Sequence, residues 1–306
     1  MKTNPTLFHI TNKYSAVLVD NYGVLRTATA PFPRAYKALR ELQDQGKEVF
    51  IFSNTASHLP EQLCSELAAQ GVKTDEKHVI TAGSALSIAL EELGLKGKPL
   101  ICVGNQATEE YVKRAGGILV ESLEAEAAIL GHHVEEYNLR NYSLAWKLCK
   151  EGRKPALLVN TDKMIPIDTS SQSSGPGYIG KQFEEQTGIT PIGIGKPFFY
   201  MYQLAFQRLN GLPKNRILAI GDTLETDILG ASNAGIDSLL VLSGLHAWEL
   251  GYVPPWIDPS FPNEKRALED YLVLSGLRTM IVRGSKLDLF MRERKLYPTY
   301  TLPQLQ

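Results

Sequence analysis

The chain has 306 residues, 43% of them hydrophobic, and a formal charge of −1; that is enough apolar surface for one large or two smaller domains and excludes a disordered chain. The near-neutral charge excludes a strongly basic nucleic-acid footprint, and no run approaches the roughly 20 apolar residues that span a bilayer, so neither nucleic acid nor a membrane is expected as a partner. Cys64, Cys102 and Cys149 are far apart and odd in number, as suits free thiols in a reducing compartment, and residues 1–12 lack an apolar signal segment, so a cytoplasmic protein is expected.

Strands and helices alternate along the chain. Residues 16–19 read as a short buried strand. Residues 34–45 have helical spacing, with Ala35, Leu39 and Leu42 on one face and Gly46 as a stop. A strand at 48–52 follows, then an amphipathic helix at 59–70 closed by Gly71. Residues 79–80 lead through Thr81 into a helix that runs to Leu93. This β-α-β-α pattern predicts a parallel sheet with both faces covered. From about Leu100 a second α/β unit begins: strands at 100–103 and 117–120 around a helix at 108–115, a strand at 127–130, a helix at 142–151 and a strand at 156–159. Residues 169–180, rich in Ser, Gly and Pro, read as a loop. The first pattern then resumes, with helices at 203–209 and 226–234 and strands at 217–220 and 238–242. The pattern predicts one domain inserted into another. Beyond Pro254 the chain is less regular: 256–262 is proline-rich and aromatic, 287–294 has helical character, and 298–303 reads as an extended tail wrapped on the core surface.

Four segments, each ending or following an apolar run, carry the chemistry. They are Asp20-Asn21-Tyr22-Gly23-Val24, Phe52-Ser53-Asn54, Gly195-Lys196-Pro197, and Gly221-Asp222-Thr223-Leu224-Glu225-Thr226-Asp227. Together they supply a carboxylate, a hydroxyl, a cation and an acidic pair beside a glycine. Phosphoryl transfer to a side chain needs this inventory, because the attacking carboxylate and the phosphate are both anionic and the site must hold strong positive charge. Mg²⁺ on hard oxygen ligands supplies part of that charge and Lys196 the rest. Ser53 and nearby backbone N–H groups suit the non-bridging oxygens. Each segment alone is also the sequence of a turn or a helix cap. Four of them in this order, each at a strand end, favour function.

The set resembles the haloacid dehalogenase (HAD) superfamily, most of whose members are phosphatases, and matches its four motifs in order. From Asp20 to Ser53 there is room for a helix and a strand only; from Ser53 to Lys196 there is room for a whole α/β domain. A large α/β cap in that second place looks like class II. The phrases Ile80-Thr81-Ala82-Gly83-Ser84, Val159-Asn160-Thr161-Asp162, Gly193-Ile194-Gly195-Lys196-Pro197 and Gly221 through Gly235 look like subclass IIA, the N-acetylglucosamine-phosphatase-like, p-nitrophenylphosphatase-like and phosphoglycolate-phosphatase-like proteins. The resemblance implies an α/β fold with a Rossmann-like core of parallel sheet, residues 1–81 and 187–306, the latter with a C-terminal extension. It implies an inserted α/β class II cap domain, of the subclass IIA kind, at 82–186. It also implies hydrolysis of a small phosphorylated metabolite through an aspartyl-phosphate on Asp20. Asp20, the Tyr22 carbonyl and Asp222 would hold Mg²⁺, and Asp227 would ligate through water or orient Lys196. Ser53 would bind phosphate beside Tyr22 and Gly23, Asn54 would shape that loop, and Lys196 would neutralise both nucleophile and phosphate. The cap would meet the rest of the substrate through Asn160 and Asp162 or through His132 and His133, although Asn-Thr-Asp also suits a plain turn. Caps and tails of this kind often pair, so a homodimer is a further expectation.

One residue departs from the motif. Tyr22 stands where a second aspartate usually protonates the leaving group and later activates water, and it resembles a less characterised branch with an aromatic there. A tyrosine, with a reference pKa of about 10, is a poor base near neutrality, so a slow enzyme is expected. Tyrosine at this position also occurs in 2-haloacid dehalogenases, which need no metal; the short first interval and the acidic pair Asp222 and Asp227 weigh against that reading. A phosphoryl-ligand-binding protein with vestigial activity is the remaining alternative.

Overall fold

The first strand, β1 (Ala16–Val19), is buried along its whole length. Ala16 and Leu18 pack with Phe50 and Phe52 on one side, while Val17 and Val19 pack with Leu39, Val49 and Ile220 on the other. A strand with both faces covered has no place for a polar side chain, which is why it reads as an unbroken apolar run. The computed structural model describes residues 7–132, 138–167, 172–242, 244 and 291–302.

β1 is followed by β2 (Glu48–Ser53) and β3 (Val79–Thr81). The helix between β1 and β2, Pro33–Asp44, starts on a proline at its first turn and buries Ala35, Tyr36, Ala38, Leu39 and Leu42. Gly46, with φ +75°, then turns the chain into β2. Helix Ala82–Glu92, capped by the Thr81 side chain on the Ser84 N–H, leads into a second unit. This contains β4 (Pro99–Val103), β5 (Ile118–Leu119), β6 (Ala127–Leu130), β7 (Ala156–Leu158), β8 (Met164–Pro166), β9 (Gln172–Ser174) and β10 (Ile192–Gly193). The chain then returns through β11 (Ile217–Gly221), β12 (Asp237–Val241) and β13 (Tyr300–Leu302).

Among the described residues the strands form a six-stranded parallel sheet in the order β13-β12-β11-β1-β2-β3, a five-stranded parallel sheet in the order β10-β7-β6-β4-β5 and an antiparallel pair, β8 with β9. The expected α/β class with a Rossmann-like parallel sheet is the observed one. One face of the second sheet is covered by helices Leu139–Lys150 and Pro176–Thr187, with Phe183 at the centre of that core. Its other face joins the core cluster of the first unit, where Leu100, Cys102, Ile129 and Leu157 pack with Leu86, Ala89 and Leu90. The edge strand β10 comes from beyond residue 186.

Two expectations need correction. Residues 172–180, read as loop, are β9 and the first turn of helix Pro176–Thr187. Pro176 and the glycines serve helix start and close packing, not looping: a Cβ at Gly177 would lie 2.3 Å from the Thr161 carbonyl oxygen, so only glycine lets this helix press on the 160–163 turn. The tail is not a surface wrap either. Tyr300–Leu302 adds the sixth strand, pairing in parallel with Leu239–Val241. Its partner lies some 60 residues earlier, a separation that local patterning cannot reveal. The expected helix at 287–294 is described only at 291–294, where it is helical, and 256–262 lies outside the described residues.

The tail is latched by Asp237. Its carboxylate accepts hydrogen bonds from Lys13 Nζ at 2.8 Å, Tyr14 OH at 2.5 Å and Thr299 Oγ1 at 3.4 Å. Burial pushes the Asp237 carboxyl up, but the Lys13 and Tyr14 hydrogen bonds outweigh it and hold it below the usual range. A depressed pKa adds stability at neutral pH that is lost as pH falls through the folded value. The native chain is therefore expected to melt above an Asp237→Asn variant at pH 7, with the gap closing below the ordinary carboxylate range. A gap that is constant from pH 7 to pH 3 would rule the latch out.

Candidate active site

Three neighbouring strands end at one point. β1 lies between β11 and β2, with Val19 in register with both Ile220 and Ile51. The chain leaves β1 toward β2 on one side and returns to β11 on the other, so a crevice opens at their carboxyl ends. Asp20 follows β1, Ser53 ends β2 and Asp222 follows β11.

Lys196 enters this crevice from the loop after β10. Its side chain is 2% exposed, and its Nζ donates to Asp20 Oδ1 at 2.7 Å, Asp227 Oδ1 at 2.7 Å and the Phe52 carbonyl at 2.9 Å. Three ammonium protons meet three acceptors. Burial pulls the Lys196 pKa down, but Asp20 and Asp227 outweigh it and raise it, so the lysine is a fixed cation.

Asp20, Asp222 and Asp227 are buried, and each offers an oxygen within 4.8 Å of the others. Asp227 Oδ2 also accepts the Thr223 N–H at 3.1 Å. Gly23 makes room for this cluster: its φ is +85°, and a Cβ there would lie 2.2 Å from Asp222 Oδ2. Burial pushes the Asp20 carboxyl well above its usual value; Lys196 opposes the shift, and the neighbouring Asp227 and Asp222 add to it. One lysine does not balance three carboxylates, whereas hard oxygens this close suit a divalent cation. Adding Mg²⁺ or Ca²⁺ to metal-stripped protein is expected to raise its melting temperature by a few degrees, since a ligand at one hundred times its Kd adds about 2.7 kcal/mol. An Asp222→Asn variant is expected to lose most of that shift. An unchanged melt in the native protein would show that the three acids hold no cation.

Tyr22 is half-buried and lines the cleft, its ring 5.8 Å from the Arg26 guanidinium. Burial pushes its hydroxyl pKa up, with Arg26 pulling the other way. Arg26 itself points away, pairing with Glu66 at 2.5 Å and bonding the Thr27 carbonyl.

Around the cleft the second unit grips the first through three sets of hydrogen bonds. The Ala28 and Thr29 N–H groups donate to the Pro166 and Ile167 carbonyls at 2.9 and 3.1 Å. Asn54 accepts the Lys196 N–H at 2.6 Å and donates to Asp162 Oδ1 at 2.7 Å and Thr161 Oγ1 at 3.0 Å. Thr108, Asn105 and Tyr111 donate to three successive carbonyls, those of Ala56, Ser57 and His58, at 3.0, 3.0 and 2.7 Å. Thus the loop after Ser53 is held from both ends, and the amide of Asn54 is spent on Lys196 and the 161–162 turn.

These contacts enclose a cleft of about 210 Å³. Asp20, Tyr22, Ser53, Lys196, Asp222 and Asp227 line its floor, and Asn160, Asp162 and His132 line the opposite side. Gly23 and Asn54 do not line the cleft, and His133 is outside the described residues. Asp162 is lifted by burial to about 6, against the pull of Lys196 and of the Asn54 hydrogen bond. Asn160 Oδ1 accepts the Asp162 N–H at 2.9 Å, so the segment is a turn as well as a wall. Sequence reading missed Ser57, His58 and the apolar strand Met164–Pro166, which also line the cleft. Only the position of His58 just after the Ser53 loop could have marked it. No sequence signal marks the Asn105, Thr108 and Tyr111 grip, because its acceptors are backbone carbonyls.

The family described as haloacid dehalogenase-like hydrolase matches residues 17–117, and the one described as HAD-hydrolase-like matches residues 193–255. Together they span more than half the chain, and they carry all four segments of the crevice. The chain belongs to the haloacid dehalogenase-like hydrolases. The stretch between the two matches holds most of the second sheet, the class IIA arrangement of this superfamily. The chain is 24% identical over 233 residues to the 5′-nucleotidase YutF of Bacillus subtilis, covering 76% of this chain and 88% of that one. In fold it is similar to the p-nitrophenyl phosphatase from Archaeoglobus fulgidus, with a TM-score of 0.73 at 20% identity, covering 95% and 97% of the two chains. It is also similar to a glycerol phosphate phosphatase from Mycobacterium tuberculosis solved with calcium, with a TM-score of 0.69 at 24% identity over 82% and 73%. No described helix of this HAD hydrolase is long and apolar enough to cross a membrane.

Proposed function

We propose that this protein is a Mg²⁺-dependent phosphatase that hydrolyses a small phosphate monoester through an aspartyl-phosphate on Asp20. The observation that carries the reading is the Lys196 ammonium held 2.7 Å from both Asp20 and Asp227, beside three acids within 4.8 Å of one another. The phosphatases and nucleotidases among its relatives support the same reaction class.

An Asp20 oxygen attacks phosphorus, the ester P–O bond breaks, and the leaving alkoxide takes a proton. Water then attacks the phosphorus of the acyl phosphate, which frees Asp20 and inorganic phosphate. Asp20, Asp222 and the Tyr22 carbonyl would hold the cation, and Asp227 would either ligate it through water or orient Lys196. The cation supplies charge that offsets phosphate and nucleophile together. Ser53 and the backbone at Tyr22 and Gly23 bind the non-bridging oxygens, and Asn54 keeps that loop in shape. The core is residues 1–81 and 187–306, except that Ile192–Gly193 completes the sheet of the cap, and the cap, 82–186, presents Asn160, Asp162 and His132 to the leaving group. Tyr22 does not replace the missing acid, so esters with poor leaving groups turn over slowly and aryl esters suffer least.

A screen of phosphorylated metabolites with Mg²⁺, read as phosphate release in single and multiple turnover, tests the reading. Release that depends on Asp20 is the expected result. Tight binding of a phosphate ester with no release in a single turnover would leave a binding protein instead. Chloride release from 2-chloropropionate in EDTA would identify a dehalogenase, a chemistry that has no use for Asp222 and Asp227.

A further inference from the structure

The sign of the charge around the cleft restricts its substrate further than the phosphate chemistry does. We propose that the site accepts monophosphates whose leaving group is uncharged or cationic, and that Asp162 rejects esters carrying a second anionic group. The inference rests on the phosphatase reading above and names its substrate class.

Among the described residues lining the cleft, Lys196 is the only lysine or arginine, and its three protons are already held by Asp20, Asp227 and the Phe52 carbonyl. Four carboxylates line the same space. Three of them, Asp20, Asp222 and Asp227, cluster within 4.8 Å, where Lys196 and a divalent cation together match their charge. Asp162 is the fourth and stands outside that cluster, on the cap side. Its Oδ1 is held by the neutral amide of Asn54, and it makes no ion pair among the described residues. Its charge therefore faces the part of the ester that projects away from phosphorus.

Among the described residues lining the cleft, Lys196 alone pulls on that charge, and its protons are already held elsewhere. The wall is apolar along Met164–Pro166 and Ile167, with Ser57 and Ser173 as neutral hydroxyls. A carboxylate or second phosphate on the leaving group would sit beside Asp162 in a half-closed cleft whose described lining offers no lysine or arginine besides Lys196, where like charges a few ångströms apart repel strongly. A hydroxylated carbon chain meets no such penalty and finds hydroxyl and imidazole partners.

The test uses the full chain with Mg²⁺ at pH 8, where ordinary imidazoles are neutral. The substrates are glycerol 3-phosphate and 3-phosphoglycerate, which differ by a carboxylate in place of a CH₂OH, with p-nitrophenyl phosphate as a reporter of phosphoryl transfer. The expected kcat/KM favours glycerol 3-phosphate on the order of 10–100-fold. Asp162→Asn is expected to bring the ratio to within a few-fold, chiefly by lowering KM for phosphoglycerate. In the native protein, raising ionic strength from 0.05 to 0.5 M is expected to compress the ratio too, a measurement that needs no variant to fold. Equal kcat/KM for the two esters in the native protein overturns the inference, as does a folded Asp162→Asn variant with the native ratio. If p-nitrophenyl phosphate turnover persists in that case and is lost in Asp20→Asn, the phosphatase reading survives alone. If no ester shows Asp20-dependent turnover, both fall.

Discussion

Replacing Asp20 with asparagine is expected to reduce phosphate release from every ester by about 10⁴-fold or more while the protein stays folded. The amide has nearly the shape of the carboxylate, so the loop after β1 keeps its packing, but it lacks the anionic oxygen that would attack phosphorus. Stability should move in the opposite direction from activity. Asp20 is buried against Asp222 and Asp227, and Lys196 relieves only part of that crowding. Without a divalent cation, the variant is expected to melt at or above the native temperature. The rise that Mg²⁺ gives the native protein should shrink in the variant, because one of the ligands has lost its charge. Single-turnover phosphate release and paired thermal melts in EDTA and in Mg²⁺ measure both effects. Retained turnover would place the nucleophile elsewhere. Lost turnover with a collapsed melt would make Asp20 a structural residue.

The second large effect is a gain. Tyr22→Asp is expected to raise kcat on alkyl phosphates about 10²–10⁴-fold, the usual contribution of a positioned general acid or base, with a smaller gain on p-nitrophenyl phosphate. Tyr22 lines the cleft two residues after Asp20, yet burial raises its hydroxyl pKa from a value already near 10. Such a group neither accepts a proton from water nor matches the reach of a carboxylate. An aryl leaving group departs without a proton and so gains least. Equal gains on both ester types, or none on either, would mean that the proton is moved by another group. Asp162, lifted to about 6 on the facing wall, would then be the first to examine.

Much of the active crevice was legible in the chain because parallel strands with both faces covered must be apolar throughout. A polar residue directly after such a run, as with Asp20, Ser53 and Asp222, then marks the carboxyl edge of the sheet. The positions of Asn160 and Asp162 after β7 were legible in the same way. What Asp162 touches was not: its bond to Asn54 joins residues more than a hundred positions apart. The Ser-, Gly- and Pro-rich stretch misled for a related reason. Its glycines look like loop formers, but Gly177 is there so that a helix can approach the Thr161 carbonyl.

From the sequence alone came the α/β class, the order of the charged segments and the chemical inventory of carboxylates, lysine and hydroxyl, since these depend on local periodicity and on which side chain ends each apolar run. Tertiary structure alone decided that Lys196 spans Asp20 and Asp227, that β13 closes the sheet edge beside β12, and that the second unit grips three successive carbonyls of the Ser53 loop. Those are contacts between distant segments, made largely through backbone atoms that every residue shares, so no residue type announces them in advance.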